Sequence, residues 1–320
     1  MRVLVTGATG FLGREVTHQL TAVGHEVVAL TRGPSTVPGA PQTVRGDLTD
    51  LASVRNALAQ AGPVEVVCHL AALTQARDSR RDPLRYWDLN TAGTLRILQA
   101  VAERSMPVRV ILASSGAVYG TGQSSPIPED AATAPTSPYG RSKAAAEELL
   151  SDAAAANLVS GVVLRTFNLA GASRGMPDTD TTRVIPAALA VATGDLDAFA
   201  VNGTGEVVRE YTHVGDVARA YLAAIERPMP SPFSVYNVGS GHGSSVLDVL
   251  DVVRAVTGHA IPVDHRPAQD EPASLIGDVT RAAADLDWTP KHSDLAELVA
   301  DAWAALHAGA SATRMANQNR

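Results

Sequence analysis

Two hydrophobic periods alternate along the first half of the chain. Short runs rich in β-branched residues at 3–5, 26–30, 64–69, 108–113 and 162–165 read as strands. Between them, positions 12–23, 50–61, 83–105 and 138–156 carry apolar residues at helical spacing. Runs such as 108–113 show little polar alternation, which fits strands covered on both faces. This alternation predicts an α/β fold, a doubly wound parallel sheet with helices on both sides. After about residue 166 the pattern loosens. Prolines at 177, 186, 228, 230, 232, 262, 267 and 272 punctuate shorter elements, with helices expected at 184–193, 214–226, 245–257 and 293–307. The expected organisation is a main domain over 1–165 and a smaller C-terminal α/β lobe over 166–320, with about 206–238 returning to the main sheet. Ligands of such sheets bind at the carboxyl ends of the strands.

Composition narrows the class. The 320 residues are 45% hydrophobic and 18% charged, as in ordinary globular proteins. The net charge of −7 and the absence of a basic stripe argue against a nucleic-acid partner. Cys68 is the only cysteine, so no internal disulfide and no Cys-rich zinc site can form. That usage fits a reducing compartment and a cytoplasmic location. No apolar run approaches the length of a membrane span. The histidines lack ligand spacing, so no metal site is expected.

The chemistry begins at the amino terminus. Val3-Leu4-Val5-Thr6 is followed by Gly7-Ala8-Thr9-Gly10-Phe11-Leu12-Gly13 and then by a helical pattern. Glycines there let backbone N–H groups approach a pyrophosphate, and the helix N-terminus adds positive dipole charge. In this strand–turn–helix setting the GxxGxxG spacing predicts a dinucleotide-binding Rossmann domain; a tight turn without a ligand is the plainer alternative. At the end of the second strand an acid accepts from the ribose hydroxyls, whereas an arginine pairs with a 2′-phosphate. The positions read Leu30-Thr31-Arg32-Gly33. The expected cofactor is therefore NAD(P), leaning toward NADP, with a solvated surface arginine as the alternative. Asp47, before Leu48, is placed either to accept from the adenine amino group or to serve as a loop carboxylate. Leu70-Ala71-Ala72 offers small residues on which a cofactor can lie, while His69 reads as a packed strand-end histidine.

Ser115 closes the fourth strand, and Tyr139-Gly140-Arg141-Ser142-Lys143 follows 24 residues later. Tyr139 and Lys143 are four apart and share a helix face. A neighbouring ammonium and an oxidised nicotinamide would both stabilise the Tyr139 phenolate. Ser115, Tyr139 and Lys143 are thus the expected catalytic residues; an ordinary half-buried aromatic is the alternative for Tyr139.

Gly7/Gly10/Gly13, Ser115 and Tyr139/Lys143 resemble the extended short-chain dehydrogenase/reductase family and, within it, the NAD-dependent epimerase/dehydratase group. The likeness runs on through Leu164-Arg165-Thr166-Phe167-Asn168-Leu169-Ala170-Gly171-Ala172, Val208-Arg209-Glu210-Tyr211-Thr212-His213-Val214 and Asp285-Leu286-Asp287-Trp288-Thr289-Pro290. These are similar to the LRxFNxxGA, VRDYxHV and ELGWxP stretches of UDP-galactose 4-epimerases. The resemblance implies that Thr9, Phe11, Leu12, Asn90 and Phe167 join the cofactor site. It implies that Ser115, Gly116, Ala117, Tyr139, Asn168, Val184, Arg209 and Leu275 contact a nucleotide sugar. Arg209 would clamp the diphosphate, unless it is a surface ion pair; Asn168 is equally readable as a turn amide and Leu275 as core packing. Thr31 and Thr74 depart from the family's ribose-binding acid and phosphate-binding lysine. Gly116 and Ala117 replace the acid that dehydratases carry after the catalytic hydroxyl, so dehydration is not expected. The implied activity is nucleotide-sugar 4-epimerisation. The alternatives are an NADPH-dependent nucleotide-sugar 4-ketoreductase and a non-catalytic nucleotide-binding protein. The family also implies a homodimer packed through the helices at 83–105 and 138–156.

Overall fold

The computed structural model describes residues 1–104, 106–268 and 272–318. The first half runs β1 (Arg2–Thr6), α1 (Phe11–Ala22), β2 (Glu26–Thr31), β3 (Gln42–Arg45), α2 (Leu51–Ala61), β4 (Val66–His69), α3 (Ala76–Ser79), α4 (Pro83–Tyr86), α5 (Gly93–Ala102), β5 (Arg109–Ser115), α6 (Pro138–Ala155) and β6 (Ser160–Thr166). The second runs β7 (Asn168–Ala170), β8 (Ala172–Ser173), β9 (Met176–Pro177), α7 (Val184–Ala192), β10 (Phe199–Asn202), β11 (Val208–His213), α8 (Val214–Glu226), β12 (Phe233–Val238), β13 (Gly243–Ser245), α9 (Val246–Thr257), β14 (Val263–Arg266), β15 (Ser274–Leu275), α10 (Thr280–Leu286) and α11 (Leu295–Gln318).

Seven strands form the main sheet in the order β3-β2-β1-β4-β5-β6-β12. Every neighbouring pair is parallel. The chain winds outward from β1 to β3, then crosses to β4 and winds the other way. The reversal between β1 and β4 is the point at which such sheets open a ligand crevice. Alternation along each strand feeds two cores. Val3, Val5, Ala29 and Ile111 pack with Val217 and Tyr221 of α8, whereas Leu4, Val28, Val67 and Leu112 pack with Val54, Leu58, Ile97 and Leu150. Register then aligns the chemistry: Thr6 lies opposite His69, and Ser115 opposite Thr166, at the carboxyl edge.

Two expectations require correction. The helix over 83–105 is interrupted between α4 and α5 by a π-helical stretch, Trp87–Ala92; Ser105 lies outside the described residues. The wide turn points Asn90 inward, where it bonds both backbone groups of Leu73 (2.8 and 3.0 Å). Such insertions recur at functional sites. Of the stretch 206–238, only Phe233–Val238 joins the main sheet, beside β6. Strand β11 instead pairs with β7, β13 and β15. Its Arg209 and Glu210 need polar surroundings that the centre of an apolar parallel sheet does not offer. The second half has a core of its own, with Ile185, Leu189, Phe199, Tyr211, Leu250 and Leu298 buried together. No helix among the described residues is long and apolar enough to cross a membrane.

Candidate active site

The glycine turn is built for close approach. Gly7 adopts φ +69°, and a Cβ there would sit 2.7 Å from the Ala71 nitrogen. A Cβ on Gly13 would collide with the Gly7 carbonyl. Both positions are therefore closed to larger residues, and α1 starts directly beneath the turn. Gly10 is its N-cap and provides no side-chain cap, so the first N–H groups of α1 stay available to an anion. Thr9 is exposed, Phe11 and Leu12 half-buried, along this entrance. The floor is fixed by Thr6, whose hydroxyl accepts from the Ala71 N–H (3.1 Å) and bonds His69 Nδ1 (2.8 Å). Burial, with the Lys143 charge nearby, pushes His69 down to about 3. It is neutral and packed, as expected of a strand-end histidine. Leu70, Ala71 and Ala72 follow it, half-buried, along the crevice. This cradle fits a dinucleotide.

At the far end of β2, the Thr31 hydroxyl is turned onto the Gly33 carbonyl (2.9 Å), and the Arg32 side chain is exposed. Asp47 bonds the Thr49 N–H and hydroxyl (2.9 and 2.8 Å). Those bonds, and to a lesser degree the Arg32 charge, hold its carboxyl below the usual range. Leu48 is buried in the core, so only its backbone remains for a ligand.

The other end of the crevice holds the reactive groups. Ser137 caps α6 by accepting from the Gly140 N–H (3.1 Å), and Pro138 opens the helix. Tyr139 and Lys143 both lie on its buried face. Ser115, at the end of β5, stands beside the Tyr139 phenol. Burial raises the phenol above the ordinary tyrosine value; the Ser115 hydroxyl and the charge of Arg183 oppose this. Lys143 Nζ donates to the Ala113 carbonyl (2.8 Å). Burial pushes it down to about 8, and Glu147 opposes the shift. The lysine is anchored on β5, and Ser115 and Arg183 oppose the rise at Tyr139. Asn90 Nδ2 donates to Ser142 Oγ (3.0 Å), which ties the π-helical stretch to the helix bearing Tyr139.

The remaining predicted residues form the opposite wall. A Cβ on Gly116 or on Gly277 would lie 2.6 Å from the Phe167 ring, so two glycines sandwich that ring. Phe167 and Leu275 pack against Val118, Tyr119 and Ile127. In the small sheet, Arg209 is in register with Leu275. Asn168 is in register with Tyr211. Asn168 Nδ2 donates to the Glu210 carbonyl (2.9 Å), and Arg209 Nη1 to the carbonyls of Val208 and Pro272 (2.7 and 2.8 Å). Val184 opens α7. Ala117 donates its N–H to Ser115 Oγ (3.2 Å), joining this wall to the catalytic serine.

Three residues of the site carry no motif of their own. Arg183 acts on Tyr139 through charge and is held by Asp178 (2.6 Å) and Asp180 (3.6 Å). Its signal is its place immediately before Val184. The Tyr86 ring stands edge-on to Tyr139 with centroids 6.4 Å apart; it lies four residues before Asn90 and so shares its helix face. Glu147, four residues after Lys143, pairs with Arg165 (2.6 Å) in a buried bridge that also takes in Ser114. Among the described residues no cluster able to hold a metal ion occurs.

Comparison with known proteins places this geometry in a family. The NAD dependent epimerase/dehydratase family matches residues 3–239. The UDP-glucose 4-epimerase of Streptomyces lividans is 37% identical over 314 residues, covering 94% of this chain and 95% of that protein. A solved UDP-glucose 4-epimerase from Stenotrophomonas maltophila, with bound NAD and formylated UDP-arabinopyranose, superposes with a TM-score of 0.89 at 30% identity, covering 98% of this chain and 99% of that one. Another, from Bifidobacterium longum in complex with NAD+ and UDP, gives 0.88 at 30% identity, covering 96% and 98%. The chain belongs to the NAD dependent epimerase/dehydratase family.

Proposed function

We propose that the protein is a nucleotide-sugar 4-epimerase of the UDP-glucose 4-epimerase kind, working by transient oxidation at C4. The observation that carries this is the juxtaposed Ser115–Tyr139 pair standing beside glycine and alanine, not an acid, at 116 and 117. It offers one base and one hydroxyl to a sugar alcohol, and nothing to drive elimination. We take 1–165 as the dinucleotide-binding domain and 166–320 as the substrate lobe that lends β12 to the sheet.

The turn at Gly7, Gly10 and Gly13, with Thr31, Arg32, Asp47, Ala71, Asn90 and Lys143, would hold the nicotinamide cofactor. When bound, the cofactor supplies a hydride acceptor and donor. Tyr139 takes the proton of the 4-hydroxyl and later returns it, while Ser115 fixes the 4-oxygen. Lys143 keeps a positive charge near the phenolate. Arg209 binds the diphosphate through its planar fork. That anchor lets the sugar present either face to the same base without leaving, and Phe167, Asn168, Val184 and Leu275 shape the space in which it turns. Holding the substrate this way replaces diffusion by a rotation within the pocket.

A specific observation favours a second reading. With Thr31 and Arg32 in place of the ribose acid, the site leans to NADP, which suits a 4-ketoreductase that consumes NADPH. A sugar labelled with deuterium at C4 separates the two. An epimerase keeps the label at C4, admits no solvent deuterium there, consumes no added cofactor and reaches the same mixture from either epimer. Loss of the label to free cofactor, or steady loss of NADPH absorbance with a 4-keto sugar, would establish the reductase. A panel of UDP-, dTDP- and GDP-sugars read by proton NMR identifies the nucleotide. We further place the enzyme in the cytoplasm, as its single buried cysteine fits. A homodimer packed on α4, α5 and α6 would cover Leu84, Trp87 and Leu95, all of them exposed.

A further inference from the structure

Tyr139, Lys143 and Glu147 recur every four residues along α6 and share its buried face. Each meets the end of β5. Tyr139 stands beside Ser115, Lys143 Nζ donates to the Ala113 carbonyl (2.8 Å), and Glu147 accepts from the Ser114 hydroxyl. The first two belong to the proposed chemistry. The third is a buried carboxylate that the chemistry leaves unused.

Strand β6 completes its surroundings. Arg165 lies opposite Ser114 in the register of β5 and β6. It donates through Nε and Nη2 to the Glu147 carboxylate (3.1 and 2.6 Å), and through Nη1 to the Tyr119 hydroxyl and the Glu129 carbonyl (both 2.9 Å). Both side chains of the pair are only 6% exposed. Apolar groups of similar volume often replace such a buried pair without loss of stability, so stability alone does not account for it. The pair does fix a negative charge one helical turn behind the Lys143 ammonium. The other ionisable groups around that ammonium are Tyr139 on its own helix and the neutral His69 from β4. Tyr86 from α4 and Arg183 from the segment before α7 face Tyr139, and the π-helical stretch offers the uncharged Asn90. Among the described residues, Glu147 is the charge that opposes the effect of burial on Lys143.

We propose that Glu147 is a positioning residue of the reaction: it locks the face of α6 that carries Tyr139 and Lys143 onto the strand end that carries Ser115, and it sets a counter-charge behind the Lys143 ammonium. The proposal rests on the reading of Ser115, Tyr139 and Lys143 as the reactive groups. Arg165 serves Glu147 in turn, since its planar fork holds the carboxylate in one orientation.

Lys143 and Lys291 are the only lysines in the chain, so lysine-selective isotope labelling lets NMR follow the titration of each in the full protein. Lys291→Arg tells the two signals apart. In wild type Lys143 should titrate at about 8. Glu147→Gln keeps the shape and removes the charge; it should lower that midpoint by about 1 pH unit, and Glu147→Asp should return it to within about 0.3. Lys291 should titrate alike in all of them. Should Glu147→Gln fail to fold with Arg165 left unpaired, the double variant Glu147→Gln/Arg165→Gln removes both charges, and the Lys143 midpoint should still fall. With UDP-galactose and UDP-glucose as probes, Glu147→Gln should lose about 10- to 100-fold in kcat with KM within about twofold, the mark of misplaced groups and not of lost binding. A Lys143 midpoint that neither charge-removing variant moves would overturn the proposal, and so would unchanged turnover in Glu147→Gln. If wild type leaves both sugars unconverted, or Tyr139→Phe keeps its turnover, the reading of the reactive groups fails instead, and the lysine titration alone decides whether Glu147 governs Lys143.

Discussion

The two ends of the crevice use charge in opposite ways. At the Tyr139 end, the ionisable groups nearest the reactive pair are buried and committed: Lys143 to the Ala113 carbonyl, Glu147 to Arg165 and Ser114, His69 to Thr6. At the Arg32 end, the guanidinium groups of Arg32 and Arg45 stand exposed, without ion-pair partners among the described residues. Burial at the first end sets protonation states, because low polarity penalises charge and a fixed partner selects which charge survives. Exposure at the second end sets affinity, through a local excess of one sign that any dissolved anion can also satisfy. Chemistry and cofactor choice are therefore separable in this fold, and they should fail separately.

The largest effect expected is on the buried end. Tyr139→Phe keeps the ring and its edge contact with Tyr86 but removes the proton carrier. Loss of a general acid/base costs about 10²- to 10⁴-fold in kcat. Cofactor content should be unchanged, since the hydroxyl faces Ser115 and not the glycine turn. Near-normal turnover in this variant would move the base elsewhere in the site.

The pH profile is the next largest effect. Proton transfer within the Tyr139–Lys143 pair would make the form with one proton between them the one able to accept a sugar proton. Lys143 is pushed down to about 8 while Tyr139 is raised, so the first proton leaves the pair near pH 8 and the second well above it. Below that first ionisation the pair holds two protons and is inactive as a base. kcat/KM should therefore rise about tenfold per pH unit up to about pH 8 and then level off. The positive charge of an oxidised nicotinamide favours loss of that first proton, which makes about 8 the upper limit. A flat profile from pH 5 to 9, or a rise centred above 9, would break the assignment.

These features were not equally legible in the chain. The parallel sheet, the glycine turn and the pairing of Tyr139 with Lys143 on one helix face follow from local spacing, because a period of 2 or 3.6 and a positive-φ glycine are local demands. The charge of Arg183 beside Tyr139 is not local. It depends on how the segment before α7 lies over α6, which no periodicity encodes. The π-helical stretch at Trp87–Ala92 is invisible for a similar reason: it is selected by the bonds of Asn90 to Leu73 and Ser142, all distant in sequence. The place of strand β11 was not legible either, since a run of 6 residues does not say which sheet it joins. What decided was the need of Glu210 for the Gly277 N–H (2.8 Å) and neighbouring loop groups, a tertiary requirement. Even the recognised pair was half-read, since spacing placed Lys143 near Tyr139 but could not show its ammonium anchored on Ala113.

The smallest effect expected is also the most direct test of the contrast. Screening shortens the reach of exposed charges, from a Debye length of about 10 Å at 0.1 M salt to about 3 Å at 1 M, and hardly touches buried ones. Chloride also competes for free guanidinium groups. If the Arg32 end selects its cofactor by surface charge, the ratio of NADP to NAD affinity should fall a few-fold between 0.1 and 1 M sodium chloride. NAD binding itself, held by backbone N–H groups at the glycine turn, should change less. Over the same range the midpoint of the kcat/KM rise should stay within about 0.3 pH unit, because Lys143 and Tyr139 are shielded from bulk ions by the protein around them. The two measurements can be made on one preparation, with the variant Arg32→Ala as the control whose ratio should already be insensitive to salt. A midpoint that drifts with salt as strongly as the affinity ratio would mean that the reactive pair is exposed to solvent in the working enzyme. A ratio indifferent to salt would mean that cofactor choice is made by shape and buried contacts, and the division of labour between the two ends would fall.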